Sequence, residues 1–404
     1  MLRVSVVKVD LRGPLLPNLP TRKNPSKWYV YDRIVKNLND TIKDVAREQG
    51  FAMAGFAAIR RLTEREDFYR QWLDDGRHGA MEYLAREPAR RFDPRVLDAR
   101  FKSVVSLAFP YHSPSPPKHD WRAELRGRIA AYAFGPDYHD VVLKKARAVA
   151  DAIAKLRDGA VTRAYVDTGP VFEREWAAEA RLGWFGKNTT ILSREHGSYF
   201  FLAEIFTDVE LEPTRAPYRE HCGTCTRCLD LCPTHALADG YLMEPRLCIS
   251  YLTIENRGPI PRELRPKLGN WIFGCDICQE VCPWNELSSD NVDSELTPFM
   301  PDLMALDDAA FSRRFTKSAI KRTKRRGLLR NAAVALGNSG NREAVPVLAH
   351  TMEHELEAIV RSHSAWALGA LGGPLAKHAL ERARKSEIDA EVREEINSAL
   401  AAIA

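Results

Sequence analysis

The sequence predicts three architectures in series: an α/β domain, a small cysteine-rich domain and a C-terminal α-helical repeat domain. Three observations carry this reading. Helix-period and strand-period patterns alternate between residues 34 and 210, all eight cysteines fall between 222 and 282, and residues beyond 328 recur with a 32-residue period. At 404 residues the chain exceeds one ordinary core, which agrees with several domains. A composition of 45% hydrophobic and 28% charged residues excludes a disordered or collagen-like chain. No apolar run reaches the ~18–20 residues that a membrane-spanning helix needs.

The first segment, residues 1–33, has Asp10, Pro14, Pro17 and Pro20 where a secretory signal would keep an apolar core. It is expected to be a loosely ordered extension. The α/β domain, placed at 34–212, opens with Ile34, Val35, Leu38, Ile42 and Val45, the 3.6-residue stripe of an amphipathic helix. Val104–Phe109 reads as a buried strand that Pro110 ends, and Asp140–Leu156 as a helix with Val142, Ala146, Val149 and Ile153 inward. Val161–Val166 and Tyr199–Ile205 read as further strands. Trp176, Trp184 and Trp271 are expected in the core.

The cysteine-rich domain is placed at 213–300. Cys222-x2-Cys225-x2-Cys228-x3-Cys232-Pro233 has the bacterial ferredoxin spacing for a 4Fe–4S cluster, and Cys248 with Cys275-x2-Cys278-x3-Cys282-Pro283 supplies four more thiols. Two-residue gaps let one loop reach three corners of a cube, while the cysteine before proline ligates the other cluster. Cluster one is therefore expected on Cys222, Cys225, Cys228 and Cys282, and cluster two on Cys232, Cys248, Cys275 and Cys278. Zinc favours paired C-x2-C knuckles, often with histidine, and fits three closely spaced cysteines poorly. A domain of this kind carries electrons, so another part of the chain must receive them.

The last region, 301–404, combines a basic segment with repeats. Ala335, Ala367 and Ala399 share the 32-residue period with Leu336, Leu368 and Leu400, as do Arg361 and Arg393. That spacing resembles a short HEAT-like helix pair, below the ~40–47 residues of standard units. Gly369, Gly372 and Gly373 are expected to end a helix, since no strand precedes them to make a phosphate loop. Residues 312–330 hold nine Lys and Arg and no acid, so a chain of net charge +5 is net −4 outside them. Such a patch is a polyanion handle, and Arg322, Lys324, Arg325 and Arg326 are its expected RNA contacts. A solvated helix face is the plainer alternative.

Longer strings add a family resemblance. Phe134-Gly135-Pro136-Asp137-Tyr138-His139, Val166-Asp167-Thr168-Gly169-Pro170, Leu182-Gly183-Trp184-Phe185-Gly186-Lys187-Asn188, Cys248-Ile249-Ser250-Tyr251-Leu252-Thr253 and Gly269-Asn270-Trp271-Ile272-Phe273-Gly274-Cys275-Asp276 resemble the epoxyqueuosine reductases, from about residue 34 to the C-terminus. The resemblance implies a nitroreductase-like cobalamin-binding α/β domain, a ferredoxin-like double 4Fe–4S domain and a HEAT-like domain that binds tRNA. It implies reduction of wobble-position epoxyqueuosine to queuosine, with electrons passing through both clusters to cobalamin from an external low-potential donor. The corrin pocket it implies involves Arg91, Ala130, Asp167, Ile191, Leu202, Ser250 and Asp276.

Epoxide opening leaves an alkoxide, which calls for a nearby acid with a pKa lifted towards the working pH. Asp167, at the end of a predicted strand, is the implied proton donor; the alternative is a cap for a helix starting near Pro170. His139 is expected to be a polar residue at a helix start rather than a cobalt ligand. Some family members carry cysteines where this chain has Ala130 and Thr189, so no thiol acts there. Two other readings compete: a dehalogenase-like cobalamin enzyme acting on a small molecule, and an electron carrier whose repeats bind a protein. Reduced thiolates and a tRNA substrate imply a cytoplasmic protein without a membrane partner, expected to be monomeric.

Overall fold

The computed structural model describes residues 38–111, 119–216, 219–237, 239–286 and 295–403. The extension expected at 1–33 lies outside them, as does the start of the stripe at Ile34 and Val35.

The first helix, α1, covers 38–48 and buries Leu38, Ile42 and Ala46, the expected face. It leads into β1 (Met53–Ala58), α2 (Thr63–Asp74) and α3 (Pro88–Phe92). Then come β2 (Ser103–Pro110), the short β3 (Arg128–Ile129), α4 (Tyr138–Leu156) and β4 (Thr162–Tyr165). Helix α5 (Glu173–Glu179), the two-residue strands β5 (Trp184–Phe185) and β6 (Ile191–Leu192), and β7 (Phe200–Thr207) complete the α/β region. Strand order in the main sheet is β1-β2-β7-β4, with every neighbour antiparallel.

Side-chain alternation gives that sheet two buried faces. Val105, Leu107, Ala203 and Ile205 pack under α1 and α4, against Ile42, Val142, Val149 and Ile153. Val104 and Phe206 face the opposite way, against Trp176 of α5. Ser106 and Glu204 lie on this second face, directly opposite each other across β2 and β7. Strand β1 went unpredicted because its Met-Ala-Gly-Phe-Ala-Ala run lacks β-branched residues. Gly55 is required there: a Cβ would meet the Ala180 carbonyl oxygen at 2.1 Å.

The cysteine-rich region contains α6 (Arg227–Asp230), α7 (Ile249–Ile254), β8 (Trp271–Phe273) and α8 (Ile277–Glu280). It is stitched to the α/β region, because β3 pairs parallel with β8. Arg128 lies over the Trp271 ring at 4.4 Å and bonds the Glu280 carboxylate.

Helices α9 (Met300–Met304) and α10 (Asp308–Arg314) precede five longer ones: α11 (Lys324–Ser339), α12 (Val345–His354), α13 (Ala358–Leu371), α14 (Pro374–Ser386) and α15 (Ala390–Ile403). Helices α11, α13 and α15 stack side by side, with α12 and α14 alongside. The 32-residue period has a packing cause. A Cβ on Gly337 would meet the Ala367 Cα at 2.9 Å, and one on Gly369 would meet the Ala399 Cα at 2.9 Å. Each glycine lets one helix approach the alanine of the next repeat, and Ala335, Ala367 and Ala399 are all buried. Gly372, at φ 62°, ends α13 as expected. No helix among the described residues is long and apolar enough to cross a membrane.

Candidate active site

Strand β4 ends at Tyr165, and the chain then turns sharply at Asp167, whose φ of 55° lies in the left-handed region. The Thr168 amide donates to the Val166 carbonyl at 2.5 Å, closing a three-residue turn around Asp167. Helix α5 starts only at Glu173, with Phe172 before it and no side-chain cap, so Asp167 does not cap a helix. Its carboxylate instead reaches the start of α4. The Tyr138 hydroxyl donates to Asp167 Oδ2 at 2.6 Å, and His139 Nε2 lies 3.1 Å from the same oxygen. His139 Nδ1 is 2.7 Å from Asp137 Oδ1, so both ring nitrogens face carboxylates.

This geometry sets the protonation states. Burial would raise the Asp167 carboxyl, but hydrogen bonds from His139 and Tyr138, with the charges of His139 and Arg322, outweigh it and hold the group below its ordinary value. Burial would likewise lower the His139 imidazole, and its bonds to Asp167 and Asp137 overcome that and raise it. The upward shift expected of Asp167 is therefore not found: its carboxyl is held down, and the upward shift falls on its partner His139. Behind the turn, burial and the Asp167 charge push the Glu173 carboxyl up to about 8.

Asp167 and Arg91 both line a cavity of about 640 Å³, together with Tyr69 and Trp72 of α2, Tyr83 and Arg174. Arg91 Nη2 donates to the Tyr83 carbonyl at 3.2 Å, whereas its buried Nε has no partner. Burial pushes the Tyr83 hydroxyl up to about 12. The other five expected corrin contacts do not line this cavity. Ala130 is buried where a Cβ on Gly274 would meet its own Cβ at 2.5 Å, and Asp276 accepts from the Ala131 amide at 2.6 Å. Ile191 and Leu202 belong to an apolar cluster with Ala108 and Phe200, and Ser250 sits in the first turn of α7. Tyr132 connects the two groups, since its hydroxyl senses both Asp167 and Asp276. The three tryptophans expected in the core, Trp176, Trp184 and Trp271, are all buried.

The cavity combines aromatic walls, among them Phe68, Tyr69, Trp72 and Tyr83, with Arg65, Arg91 and Arg174 and four carboxyl side chains, a mixture that suits a corrin. The aromatic walls fit the ring, and the unpaired Arg91 Nε offers a donor to an amide or phosphate arm.

The thiols influence one another within and across the two expected sets. Burial and the neighbouring Cys282, Cys222 and Cys225 push the Cys228 thiol up to about 11. Burial, Cys248 and Cys278 raise Cys275, while Cys278 is raised by burial and by Cys248, Asp276, Cys228 and Cys232. All eight are half-buried and unpaired by disulfides. Lys187 Nζ donates to the carbonyls of Gly223 at 2.7 Å and Cys225 at 3.0 Å, bracing the first loop from the α/β region.

The basic segment divides. Arg330 is buried: burial pulls its guanidinium down to about 9, and it donates to the carbonyls of Leu252, Asn256 and Gly258. Arg325, expected on RNA, is 16% exposed at its side chain and forms a bidentate pair with Glu355 at 3.1 and 2.5 Å. Arg322 pairs with Glu255 at 2.6 Å, stands over the Tyr83 ring, and belongs to the surroundings of Asp167. Lys324 is exposed, and Arg326 keeps 41% exposure with Glu357 4.0 Å away.

Sequence reasoning missed Tyr138, Glu173 and Glu204, and read His139 only as a helix-start residue. The available signal was the Asp137-Tyr138-His139 string, and Ser106 and Glu204 as polar positions inside otherwise apolar strands.

Comparison with known proteins gives a consistent set of relatives. Residues 91–168 match the epoxyqueuosine reductase QueG family, 221–285 a 4Fe–4S double cluster binding domain, and 317–401 HEAT repeats. An epoxyqueuosine reductase of Xanthomonas campestris pv. campestris is 38% identical over 343 residues, covering 82% of this chain and 95% of that protein. That of Escherichia coli K12 is 36% identical over 345 residues, covering 83% and 89%. An epoxyqueuosine reductase solved with an epoxyqueuosine-modified tRNA-Tyr stem loop superposes with a TM-score of 0.83 at 31% identity, covering 91% of this chain and 99% of that one. The Bacillus subtilis enzyme, solved with its catalytic aspartate loop swung out of the active site, gives 0.84 at 29% identity, covering 92% and 100%.

Proposed function

This chain belongs to the epoxyqueuosine reductase family, and from that premise we propose that it reduces epoxyqueuosine to queuosine in tRNA using cobalamin, with Asp167 delivering the proton. The observation that carries the proton assignment is Asp167 on the wall of the cavity, with its carboxylate hydrogen-bonded to Tyr138 and His139.

The overall change takes an epoxide, two electrons and two protons to an alkene and water. When bound, cobalamin would supply low-valent cobalt as the reductant for that change, recharged through the two 4Fe–4S clusters. The residues of this chain do the rest. Arg91 and the aromatic wall would hold the corrin, while a role for Ala130, Ile191, Leu202, Ser250 and Asp276 rests on the family resemblance, since they lie outside this cavity. Asp167 faces the opening epoxide oxygen. Covering the site with corrin and nucleoside removes water, which disfavours a separated His139⁺–Asp167⁻ pair relative to a neutral one. The proton then moves from His139 Nε2 to Asp167 Oδ2, from which it passes to the developing alkoxide. A group that starts below its ordinary pKa thus becomes an acid on substrate binding.

Cluster one is assigned to Cys222, Cys225, Cys228 and Cys282, and cluster two to Cys232, Cys248, Cys275 and Cys278. The ferredoxin spacing supports this, as does the mutual influence of Cys228 and Cys282 with Cys222 and Cys225 and of Cys248 with Cys232, and ligation would draw off their protons despite burial. The domain limits read from the sequence, 34–212, 213–300 and 301–404, are part of this proposal, with RNA approaching the last region. Lys324 and Arg326 are its phosphate contacts, while Arg322 lies between the RNA side and the active site.

The test is anaerobic turnover of an epoxyqueuosine-containing anticodon stem-loop by reconstituted, cobalamin-loaded protein. Queuosine formed by the wild type and lost in Asp167→Asn supports reaction and acid together. Full activity in Asp167→Asn would discard the proton donor, and absence of wild-type turnover with both clusters and corrin bound would discard the reaction.

A further inference from the structure

The turn that presents Asp167 is strained, since a non-glycine residue at φ 55° closed by a bond from residue 168 to 166 is a sparsely populated arrangement. Such a turn persists only where its surroundings over-determine it. Asp167 is held through its carboxylate by Tyr138 and His139. It is also held through its backbone: the Asp167 amide donates to Glu173 Oε1, and Glu173 lines the cavity beside it.

Glu173 is an unusual anchor. It stands at the start of α5 against the second face of the main sheet, beside the fully buried Glu204 of β7. Ser106 Oγ is 3.1 Å from Glu204 Oε1, whereas Glu204 Oε2 is buried without a hydrogen-bond partner, and the neighbouring Glu173 carboxyl adds to the upward push on Glu204. Two buried carboxyl groups cannot bond unless a proton lies between them. Burial, and for Glu173 the Asp167 charge, raises both groups, so the proton is retained at neutral pH.

We propose that Glu173 is a positioning residue: locked to Glu204 by a shared proton, its carboxyl holds the Asp167 amide and so keeps the acid-bearing turn directed into the cavity. This rests on Asp167 as the proton donor and adds a cause for its placement. The acid is gripped twice, through its carboxylate by Tyr138 and His139 and through its amide by Glu173.

The chemistry of the latch predicts an inverted pattern of conservative substitutions. In Glu173→Gln the amide oxygen accepts from the Asp167 N–H and the amide nitrogen donates to Glu204, so both bonds survive without an ionisable group. In Glu173→Asp the acid is kept, but the side chain is one methylene shorter and the acceptor withdraws from the turn. With both clusters and corrin loaded, Glu173→Gln is expected to keep kcat within about threefold of wild type, whereas Glu173→Asp and Glu173→Ala lose tenfold or more. KM for the stem-loop should stay within about twofold in all three. Hydrogen exchange read by mass spectrometry, without substrate, should show faster exchange across 164–170 in the Asp and Ala variants and wild-type protection in Gln.

Wild-type exchange and kcat in Glu173→Asp would overturn the proposal. So would loss of kcat in Glu173→Gln with exchange unchanged, since that would make Glu173 a proton source rather than a latch. If Glu173→Ala does not fold, the Gln and Asp pair decides alone. Exchange is measured without turnover, so a failure of Asp167 as the acid would appear in Asp167→Asn and leave this readout standing.

Discussion

The α11–α15 repeats and the Asp167 site treat buried charge in opposite ways. In the repeats each buried or half-buried arginine has an acceptor set built for it: Arg330 with three carbonyls, Arg325 with Glu355, and Arg361 with Glu387 at 2.7 Å. Between them run Gly337, Gly369 and the alanines, which add contact but no polar demand. Around Asp167, four carboxyl groups crowd together: Asp137, Asp167, Glu173 and Glu204 share one imidazole, two hydroxyls and an amide. The first arrangement has one favourable protonation state and is rigid. The second has several of similar energy and can therefore exchange a proton.

Substitutions that separate activity from stability should sharpen the contrast. The largest effect expected is in Asp167→Asn, a fall in turnover of about 10²–10⁴-fold, in the range of a lost general acid. Its side chain is 57% exposed, so the melting temperature should stay close to wild type; a large drop would mean that the carboxylate is structural. Arg330→Ala should do the reverse. It strands three carbonyls and opens a cavity, which costs roughly 3 kcal/mol or more of stability, read as a lower denaturant midpoint with 4Fe–4S absorbance retained in the folded fraction.

The next effect concerns pH. His139 has a raised folded pKa, so its pair with Asp167 keeps its proton to higher pH than a free imidazole and loses it as pH rises through the folded value. Turnover should fall on the alkaline side of that value, approaching tenfold per pH unit. The same interaction contributes stability below the unfolded histidine pKa and loses it over that rise. Asp167→Asn aside, Asp137→Asn tests this cleanly: it removes one of two carboxylates that hold His139 up, and the alkaline limb should move to lower pH by about one unit. An unmoved limb would assign the titration elsewhere.

The smallest effect lies at the RNA face. Lys324→Glu and Arg326→Glu should each weaken stem-loop binding and reduce the slope of log K against log salt by about 1. Arg325→Glu should instead lower stability, because it places a carboxylate against Glu355. Equal salt slopes for all three variants would return Arg325 to the RNA surface.

Much of this was legible in the sequence, for identifiable reasons. Cysteine spacing, strand-length apolar runs and a 32-residue period are local patterns with one physical interpretation each. Asp167 was legible through its surrounding string, yet its protonation was not, because that depends on His139, some 28 residues away. Glu173 and Glu204 were illegible as a pair, since nothing local says that α5 will cover the second face of β7. Arg325 and Arg330 show the same limit in reverse. A run of positive charge looks uniform along the chain, but α11 rotates successive residues through 100° or so, turning some towards Glu355 and buried carbonyls and leaving others outside.

The pairing of β3 with β8 has a consequence for how this molecule can be divided. Arg128 and Ile129 precede the first cysteine by more than ninety residues, yet they complete the sheet beside Cys275 and supply the Arg128–Glu280 contact. The electron-transfer portion is thus interleaved with the catalytic portion, with part of its scaffold encoded upstream of it. A graft of residues 213–300 into another reductase would leave β8 with a bare edge, whereas one that also carried Arg128–Ala133 would bring its own partner strand.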